Sequence, residues 1–183
     1  QVQNTAATWD STAPTLTSVS LSTPTIDTTS ATQNLTVTIA IADNFALPAS
    51  GTNFQMRFNA PTGSQFLDFY ASTSSANSGA TSTARTFQVT NTFAIGSTHG
   101  VWNIAYLYLI DNLGNSHTYY PAELTSLGIT MQVNNTATSS DATAPTLTSM
   151  SFSPSSIDTT SSSQIVTLVI TIADDFALPN SGT

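Results

Sequence analysis

Apolar and polar residues alternate along nearly every apolar segment of this chain, with the period of two that is typical of β-strands. Residues 35–41 are the clearest case, because leucine, valine and isoleucine are separated there by threonine and alanine. This pattern predicts a strand with one buried face and one hydroxyl-rich face. Similar segments at 54–58, 66–71 and 87–93 predict further strands, so we expect an all-β chain.

The most apolar segment, residues 101–110, predicts a central strand. Strict alternation places one set of its side chains on a common face, namely Trp102, Ile104, Tyr106 and Tyr108. The opposite face then carries Val101, Ala105, Leu107 and Leu109. Large aromatic residues at alternate positions of a central strand belong to the core, so we interpret these tyrosines as core residues rather than as a sugar-binding platform. Better candidates for an exposed aromatic contact are Trp9, Tyr119 and Tyr120.

Sequence signals of turns and of a short helix follow the segment 101–110. Residues 111–115 contain the glycine and asparagine that tolerate positive φ, and they predict a hairpin loop. Residues 121–127 predict one helical turn with proline in its first position, ended by Gly128. Residues 129–133 predict a last strand, whereas the Ser-, Gly- and Thr-rich region 72–84 predicts an exposed loop.

The strongest signal is an internal repeat with an offset of 131 residues. Residues 1–52 align without a gap with residues 132–183, and 33 of the 52 positions are identical. A period this long is typical of independent domains in tandem and is too long for a solenoid unit. A short polar linker is expected at 135–145. We therefore predict the tail of one repeat, a complete repeat and the beginning of the next, at 1–9, 10–140 and 141–183.

Several motifs of the repeat together resemble a known class of protein. They are Asp-Ser-Thr-Ala-Pro-Thr-Leu-Thr-Ser at 10–18, an Ile-Asp pair at 26–27, Ile-Ala-Asp-Asn-Phe at 41–45 and the Gly-x-Trp to Gly-Asn pattern at 100–115. The repeat resembles the bacterial immunoglobulin-like repeats of large secreted or cell-surface proteins. This resemblance implies an immunoglobulin-like antiparallel β-sandwich, an extracellular or cell-surface location and, in many such repeats, calcium at domain junctions. The matching positions are Asp10, Asp43 and Asp111, with Asn44 and Asn115 nearby.

An immunoglobulin topology would bring these acidic residues together at one pole of the domain. Carboxylates, side-chain amides and backbone carbonyls are hard oxygen ligands of the kind that Ca²⁺ takes. The next repeat restores the arrangement with Asp141, Asp174 and Asp175. Alternatively, these aspartates serve only as turn residues and caps, which aspartate also favours. The spacing is not that of an EF-hand, so the sequence leaves both interpretations open.

The charge of the chain limits its partners. It contains 2 Lys+Arg against 10 Asp+Glu, and its formal net charge is −8. Such a chain cannot neutralise a phosphate backbone, which excludes nucleic-acid binding and argues against docking on anionic lipid. No apolar run is long enough to span a membrane, so no membrane insertion is expected in this stretch of sequence. The absence of cysteine excludes disulfides and thiolate metal sites.

No catalytic motif is recognisable, and we predict that this chain is not an enzyme. His99 and His117 do not have metal-ligand spacing, and no Gly-x-Ser-x-Gly motif accompanies them. Asp27 precedes Thr-Thr-Ser and predicts an Asx-type turn. Asp68 and Glu123 are expected to face solvent or to pair with an arginine.

These observations favour a structural repeat of an extracellular fibre, sheath or long surface adhesin, acting as a rigid spacer or as a polymer-forming module. Its partners would be neighbouring repeats or identical chains in the fibre. Two alternatives are a glycan- or protein-binding adhesin module and an accessory domain of a secreted enzyme. Binding of surface glycans would favour the first alternative, and a catalytic domain elsewhere in the full protein would favour the second.

Overall fold

The computed structural model describes residues 10–45, 47, 52–72, 83–141 and 143–176. These residues are mostly β-strand with very little helix, which confirms the predicted all-β class. The chain divides into two compact units, Gln1–Ser140 and Asp141–Thr183. Most of the predicted loop at 72–84 lies outside the described residues, and so does Trp9.

Within the described residues, the first unit contains nine strands and one short helix. Their bounds are β1 (Thr15–Leu21), β2 (Thr25–Ile26), β3 (Gln33–Ala42), β4 (Thr52–Asn59), β5 (Phe66–Ser72), β6 (Ala84–Phe93), β7 (Gly100–Ile110), β8 (Ser116–Tyr119), α1 (Pro121–Ser126) and β9 (Gln132–Asn135).

The strands of the first unit form two sheets. Three strands pair in the order β1-β3-β6, and a larger sheet has the order β2-β9-β7-β4-β5, with β8 also paired to β7. The pair β2 and β9 is parallel, whereas the other pairs are antiparallel. β7 therefore contacts three neighbouring strands, which confirms the prediction that the most apolar segment is central.

The two sheets share one hydrophobic core. The alternate apolar residues of the segment 35–41 on β3 are all buried, as their spacing predicts. From the other sheet, the ring of Phe54 meets the ring of Phe87 edge to face, with 5.7 Å between centroids. Phe93 and Trp102 form a second edge-to-face pair at 4.9 Å. Such pairs add favourable quadrupole interactions to the burial of apolar area.

The two faces of β7 differ from the prediction. The buried apolar side chains of β7 are Trp102, Ile104, Leu107 and Leu109. They stand at even-numbered positions in the first half of the strand and at odd-numbered positions in the second half. Tyr106 and Tyr108 are only half-buried. The prediction that these two tyrosines share the core face with Trp102 is therefore wrong.

A β-bulge in β7 causes this change of parity. Arg57 of β4 pairs with Tyr106, but its neighbour Phe58 pairs with Ile104, so Ala105 is the extra residue of β7. An inserted residue reverses the side of the sheet to which each following side chain points. The bulge keeps the apolar half of the strand in the core and turns both tyrosines to the outer surface.

The predicted helical turn is confirmed as α1, with proline in its first turn. Leu124 is buried, so the turn covers part of the core with a single anchor. Gly128 follows at φ 75°, in the left-handed region that glycine adopts readily at a helix end.

The predicted linker begins too early. Asn135 is the last residue of β9, and the N–H of Thr136 donates to the carbonyl oxygen of Ile26 at 2.9 Å. Ala137 is also buried. These residues belong to the first unit because their backbone and side chains complete its packing.

The second unit contains a hairpin of β10 (Thr146–Ser153) and β11 (Thr167–Ala173). Its register repeats that of β1 and β3, including a bulge at the same point between Leu147 and Ser149. Its apolar side chains are exposed, whereas their counterparts in β1 and β3 are buried or half-buried. Ile170, for example, is 54% exposed and its counterpart Ile39 is 0% exposed. Among the described residues, neither unit has a helix of the length and apolar character needed to cross a membrane.

Candidate metal centre

Three aspartates of the first unit lie side by side although they are distant in sequence. Asp10 precedes β1, Asp43 directly follows β3, and Asp111 directly follows β7. One carboxylate oxygen from each lies within 4.8 Å of the others. The structure thus brings together the three acidic residues of this unit that the sequence predicts as metal ligands.

Each of the three carboxylates also shapes the loop from which it projects. Oδ1 of Asp10 accepts the N–H of Thr12 at 3.0 Å, and Oδ1 of Asp43 accepts the N–H of Phe45 at 2.9 Å. These are Asx-type turns, so the turn chemistry expected of the aspartates is confirmed. A turn of this kind uses only one of the two carboxylate oxygens.

Asp111 makes a tighter version of the same turn. Its Oδ1 accepts two backbone N–H groups, from Leu113 at 2.7 Å and from Asn115 at 2.8 Å. The side-chain amide of Asn115 donates to Oδ2 at 2.6 Å. Asp111 is 3% exposed, so its orientation is fixed from both sides by these bonds. Asn115 therefore holds a carboxylate of the cluster in place.

Asn44 contacts the cluster through Thr12. The hydroxyl of Thr12 donates to Oδ1 of Asp10 at 2.9 Å and also contacts Oδ1 of Asn44. Thr12 thereby joins the segment before β1 to the loop after β3. Of the five residues predicted for the first site, three form the carboxylate cluster, Asn115 bonds one of them directly, and Asn44 is linked to the cluster through Thr12.

Oδ2 of Asp10 is an oxygen of the cluster that has no hydrogen-bond partner among the described residues. This oxygen is enclosed by the protein. Asp111 lies beside it, and two neighbouring carboxyl groups can bond each other only if one of them carries a proton. The backbone N–H of Thr12 lowers the pKa of Asp10 below its ordinary value, which favours the ionised form. A buried acceptor of this kind needs a proton donor or a cation.

The cluster suits a hard divalent cation. It offers carboxylate oxygens from three loops, with an amide oxygen nearby, and no soft donor. Ca²⁺ takes six to eight oxygen ligands in a flexible geometry, so carboxylates on separate loops fit it. A bound cation would also offset the mutual repulsion of three negative groups and would supply the partner that Oδ2 of Asp10 lacks.

A second cluster occurs in the second unit. One carboxylate oxygen each from Asp141, Asp174 and Asp175 lie within 4.8 Å of one another. The turns recur as well, because Oδ1 of Asp141 accepts the N–H of Thr143 at 2.9 Å. Asp175 stands where the first unit has Asn44, and it accepts the hydroxyl of Thr143 as Asn44 accepts that of Thr12.

The other candidate residues have structural roles. Asp27 forms the predicted Asx-type turn, in which Oδ1 accepts the N–H of Thr29 at 2.9 Å. Asp68 forms a bidentate ion pair with Arg57, which is one of the two arginines with which it was expected to pair. His117 contacts Glu123 at 2.8 Å on the surface of the first unit.

Of the two predicted aromatic contacts that lie among the described residues, one is exposed and one is not. Tyr120 is 60% exposed, as predicted. Tyr119 is buried, and its hydroxyl accepts the N–H of Leu16 at 3.1 Å, which corrects the prediction of an exposed contact. Sequence reasoning missed the outward-facing pair Tyr106 and Tyr108. Only the pairing with β4 could have revealed them, since the bulge has no signature in the apolar pattern.

Comparison with protein families, curated proteins and solved structures found no match to this chain.

Proposed function

We propose that this chain is a structural repeat of an extracellular fibre, sheath or long surface adhesin, built from immunoglobulin-like β-sandwich modules that bind Ca²⁺. The observation that carries the proposal is the recurrence, at an offset of 131 residues, of one antiparallel strand pair with two carboxylates of its cluster, since Asp10 and Asp43 return as Asp141 and Asp174. Repetition of a folded unit is typical of proteins that span distance or present many equal modules.

The two hairpins support the assignment of residues 141–183 to a second module of the same kind. In each strand pair, the hydroxyl of the first threonine donates to the carbonyl oxygen of the last residue of the partner strand. Thr15 bonds Ala42 in this way, and Thr146 bonds Ala173. The apolar positions match as well, so the face of β10–β11 has the composition of a face that the first unit buries.

The surface composition agrees with an extracellular structural role. Only 7% of residues are charged, and the chain relies on serine and threonine hydroxyls for solubility. Threonine hydroxyls also contact each other across strands, as Thr36 and Thr90 do at 2.7 Å across β3 and β6. Cross-strand threonine pairs stabilise a sheet.

Calcium binding is tested by melting the whole chain in excess Ca²⁺ and in a chelator. If free Ca²⁺ is about 100 times its dissociation constant, binding stabilises the folded form by about 2.7 kcal/mol, which corresponds to roughly 10 °C in Tm. Asp10→Asn should abolish most of this shift, because the amide keeps the acceptor of the turn but removes the charge. Asp27→Asn is the matched control, since Asp27 makes the same turn outside the cluster. Equal melting curves with and without calcium would reject the ion.

The structural role is tested on the cells that produce the protein. Immunogold labelling with antibodies raised against the chain should decorate extended structures at the cell surface. Label confined to the cell interior, or to a soluble secreted enzyme that contains this chain, would contradict the proposal. The two tests are independent, because the antibodies would still label a fibre module that binds no calcium.

A further inference from the structure

The outer face of the larger sheet carries a shallow groove that the proposed structural role does not use. Its volume is about 310 Å³. Five residues line it: Gln55, Tyr106, Tyr108, Thr118 and Tyr120. We call this surface the tyrosine groove.

Strand pairing explains why these side chains meet. Tyr108 of β7 pairs with Gln55 of β4 on one side and with Thr118 of β8 on the other, so the three form a row across the sheet. Tyr106 lies two residues before Tyr108, on the same face after the bulge. Tyr120 follows β8 directly and is 60% exposed. β-Bulges often redirect side chains beside functional sites.

A hydrogen-bond network fixes one side of the groove. The amide nitrogen of Gln55 donates to the hydroxyl of Tyr106 at 2.6 Å and to that of Tyr70 at 3.3 Å. The hydroxyl of Tyr70 donates to Asp68 at 2.8 Å, and Arg57 holds the same carboxylate through two bonds of 2.6 Å. The bond to Asp68 raises the pKa of Tyr70, so its phenol stays protonated at neutral pH.

The network leaves the groove polar but without net charge. Arg57 is neutralised by Asp68, and its guanidinium also lies 3.9 Å from the centre of the Phe66 ring. The hydroxyl of Tyr106 accepts from Gln55, so its own proton can be donated into the groove. A bound molecule would meet flat aromatic rings together with uncharged donors and acceptors that are already held in place.

This chemistry selects a class of ligand. The C–H faces of a hexose ring are apolar and pack on aromatic rings, while its hydroxyls need neutral donors and acceptors. A polyanion is disfavoured, because the chain carries a formal net charge of −8. From these features we infer that the tyrosine groove binds a neutral glycan by stacking on Tyr108 and Tyr120, with Gln55 and Tyr106 contacting its hydroxyls.

The test uses the whole chain in affinity electrophoresis with a β-glucan, a mannan, a galactan and soluble chitin oligomers, followed by calorimetry with the strongest binder. We expect at least one neutral probe to bind. Three further measurements test other occupants of the groove. Heparin tests a polyanion, decaproline tests a proline-rich peptide, and ultracentrifugation tests binding of a second copy of the chain.

Variants then locate the site. Tyr108→Ala and Tyr120→Ala should each lower the affinity about tenfold or more, because each removes a stacking ring. Tyr108→Phe keeps the ring and should retain most of the affinity. Val101→Ala is the control on the same strand, outside the groove, and should bind like the parent chain. Circular dichroism and melting curves check that each variant is folded.

The inference is overturned if none of the neutral probes binds, or if binding is unchanged in folded Tyr108→Ala and Tyr120→Ala. It is also overturned if the groove variants abolish only heparin binding, decaproline binding or self-association, since each result identifies a different occupant. Loss of neutral-glycan binding in both alanine variants, with retention in Tyr108→Phe and Val101→Ala, supports it. Failure of this test leaves the proposed structural role untouched, because that role does not require a ligand in the groove.

Discussion

Thr28 and Asn135 bond each other reciprocally in the interior of the first unit, although 107 positions separate them. The amide nitrogen of Asn135 donates to the hydroxyl of Thr28 at 2.8 Å, and the N–H of Thr28 donates back to the amide oxygen at 3.2 Å. Both residues are 0% exposed. The same amide nitrogen also reaches the carbonyl oxygen of Ser97 at 2.8 Å. A single buried side chain thus joins the loop after β2, the loop before β7 and the end of β9.

Asn135→Ala should destabilise the first unit by about 3 kcal/mol. The change leaves the buried N–H groups of Thr28 and Ala137 without the side-chain acceptor of Asn135, and each unsatisfied group costs about 1–3 kcal/mol. The hydroxyl of Thr28 and the carbonyl oxygen of Ser97 lose the amide as well and keep only their mutual contact at 3.5 Å. Urea unfolding of the whole chain measures the loss. Asn134→Ala is the matched control, because this neighbour is exposed and should change stability by less than about 0.5 kcal/mol. Similar midpoints for the two variants would show that the buried network is dispensable.

Two substitutions at Asp111 should separate its turn role from the proposed metal role. Asp111→Asn preserves an acceptor for the N–H groups of Leu113 and Asn115, whereas Asp111→Ala removes it. In chelator, we expect the alanine variant to be about 1–2 kcal/mol less stable than the asparagine variant. In both variants, calcium should no longer stabilise the first unit, whereas the separate cluster of the second unit is unchanged. A calcium-dependent Tm of the first unit in Asp111→Asn would mean that this carboxylate is not a ligand.

Acid should weaken the first unit partly through Asp68. The two hydrogen bonds from Arg57 lower the pKa of this carboxyl below its ordinary value. A carboxyl with a lowered pKa in the folded state contributes stability above its unfolded pKa of about 3.9 and loses it as pH falls through the folded pKa. Asp68→Asn should therefore show a shallower fall in the urea midpoint between neutral pH and about pH 3. Parallel curves for parent and variant would contradict this assignment.

Two glycines with positive φ should differ in their tolerance of a side chain. Gly114 has φ +91° and an added Cβ would meet nothing within 4 Å, so Gly114→Ala should cost only the backbone strain, about 1–2 kcal/mol. Gly100 has φ +110°, and an added Cβ would lie 3.1 Å from Cγ of Pro61. Gly100→Ala should be the more destabilising of the two in thermal unfolding. The reverse order would mean that the loop of Pro61 adjusts freely.

The apolar pattern predicted most strands of the first unit because burial on one face is a local property of each segment. The segment 35–41 shows this directly, since every second residue is buried as expected. The helical turn at α1 was equally predictable from its proline and the following glycine. Side-chain direction beyond position 105 was not, because the bulge arises from the pairing of β7 with β4 rather than from either sequence alone.

The candidate site was predictable for a different reason. Asp43 and Asp111 each follow a strand directly, so a topology that places those strand ends together also places the carboxylates together. The role of Asn135 was hidden, since asparagine beside threonine and alanine looks like a polar linker. Its burial depends on partners more than 30 positions away in the chain.

The exchange of Asn44 for Asp175 between the two clusters changes charge while leaving the contact with a threonine hydroxyl intact. The two copies therefore keep the same loop contact but differ in local charge. A drift from amide to acid at such a position alters the electrostatic character of one copy without disturbing its backbone. Duplicated copies can in this way differ in local charge while the turn that carries the charge stays the same.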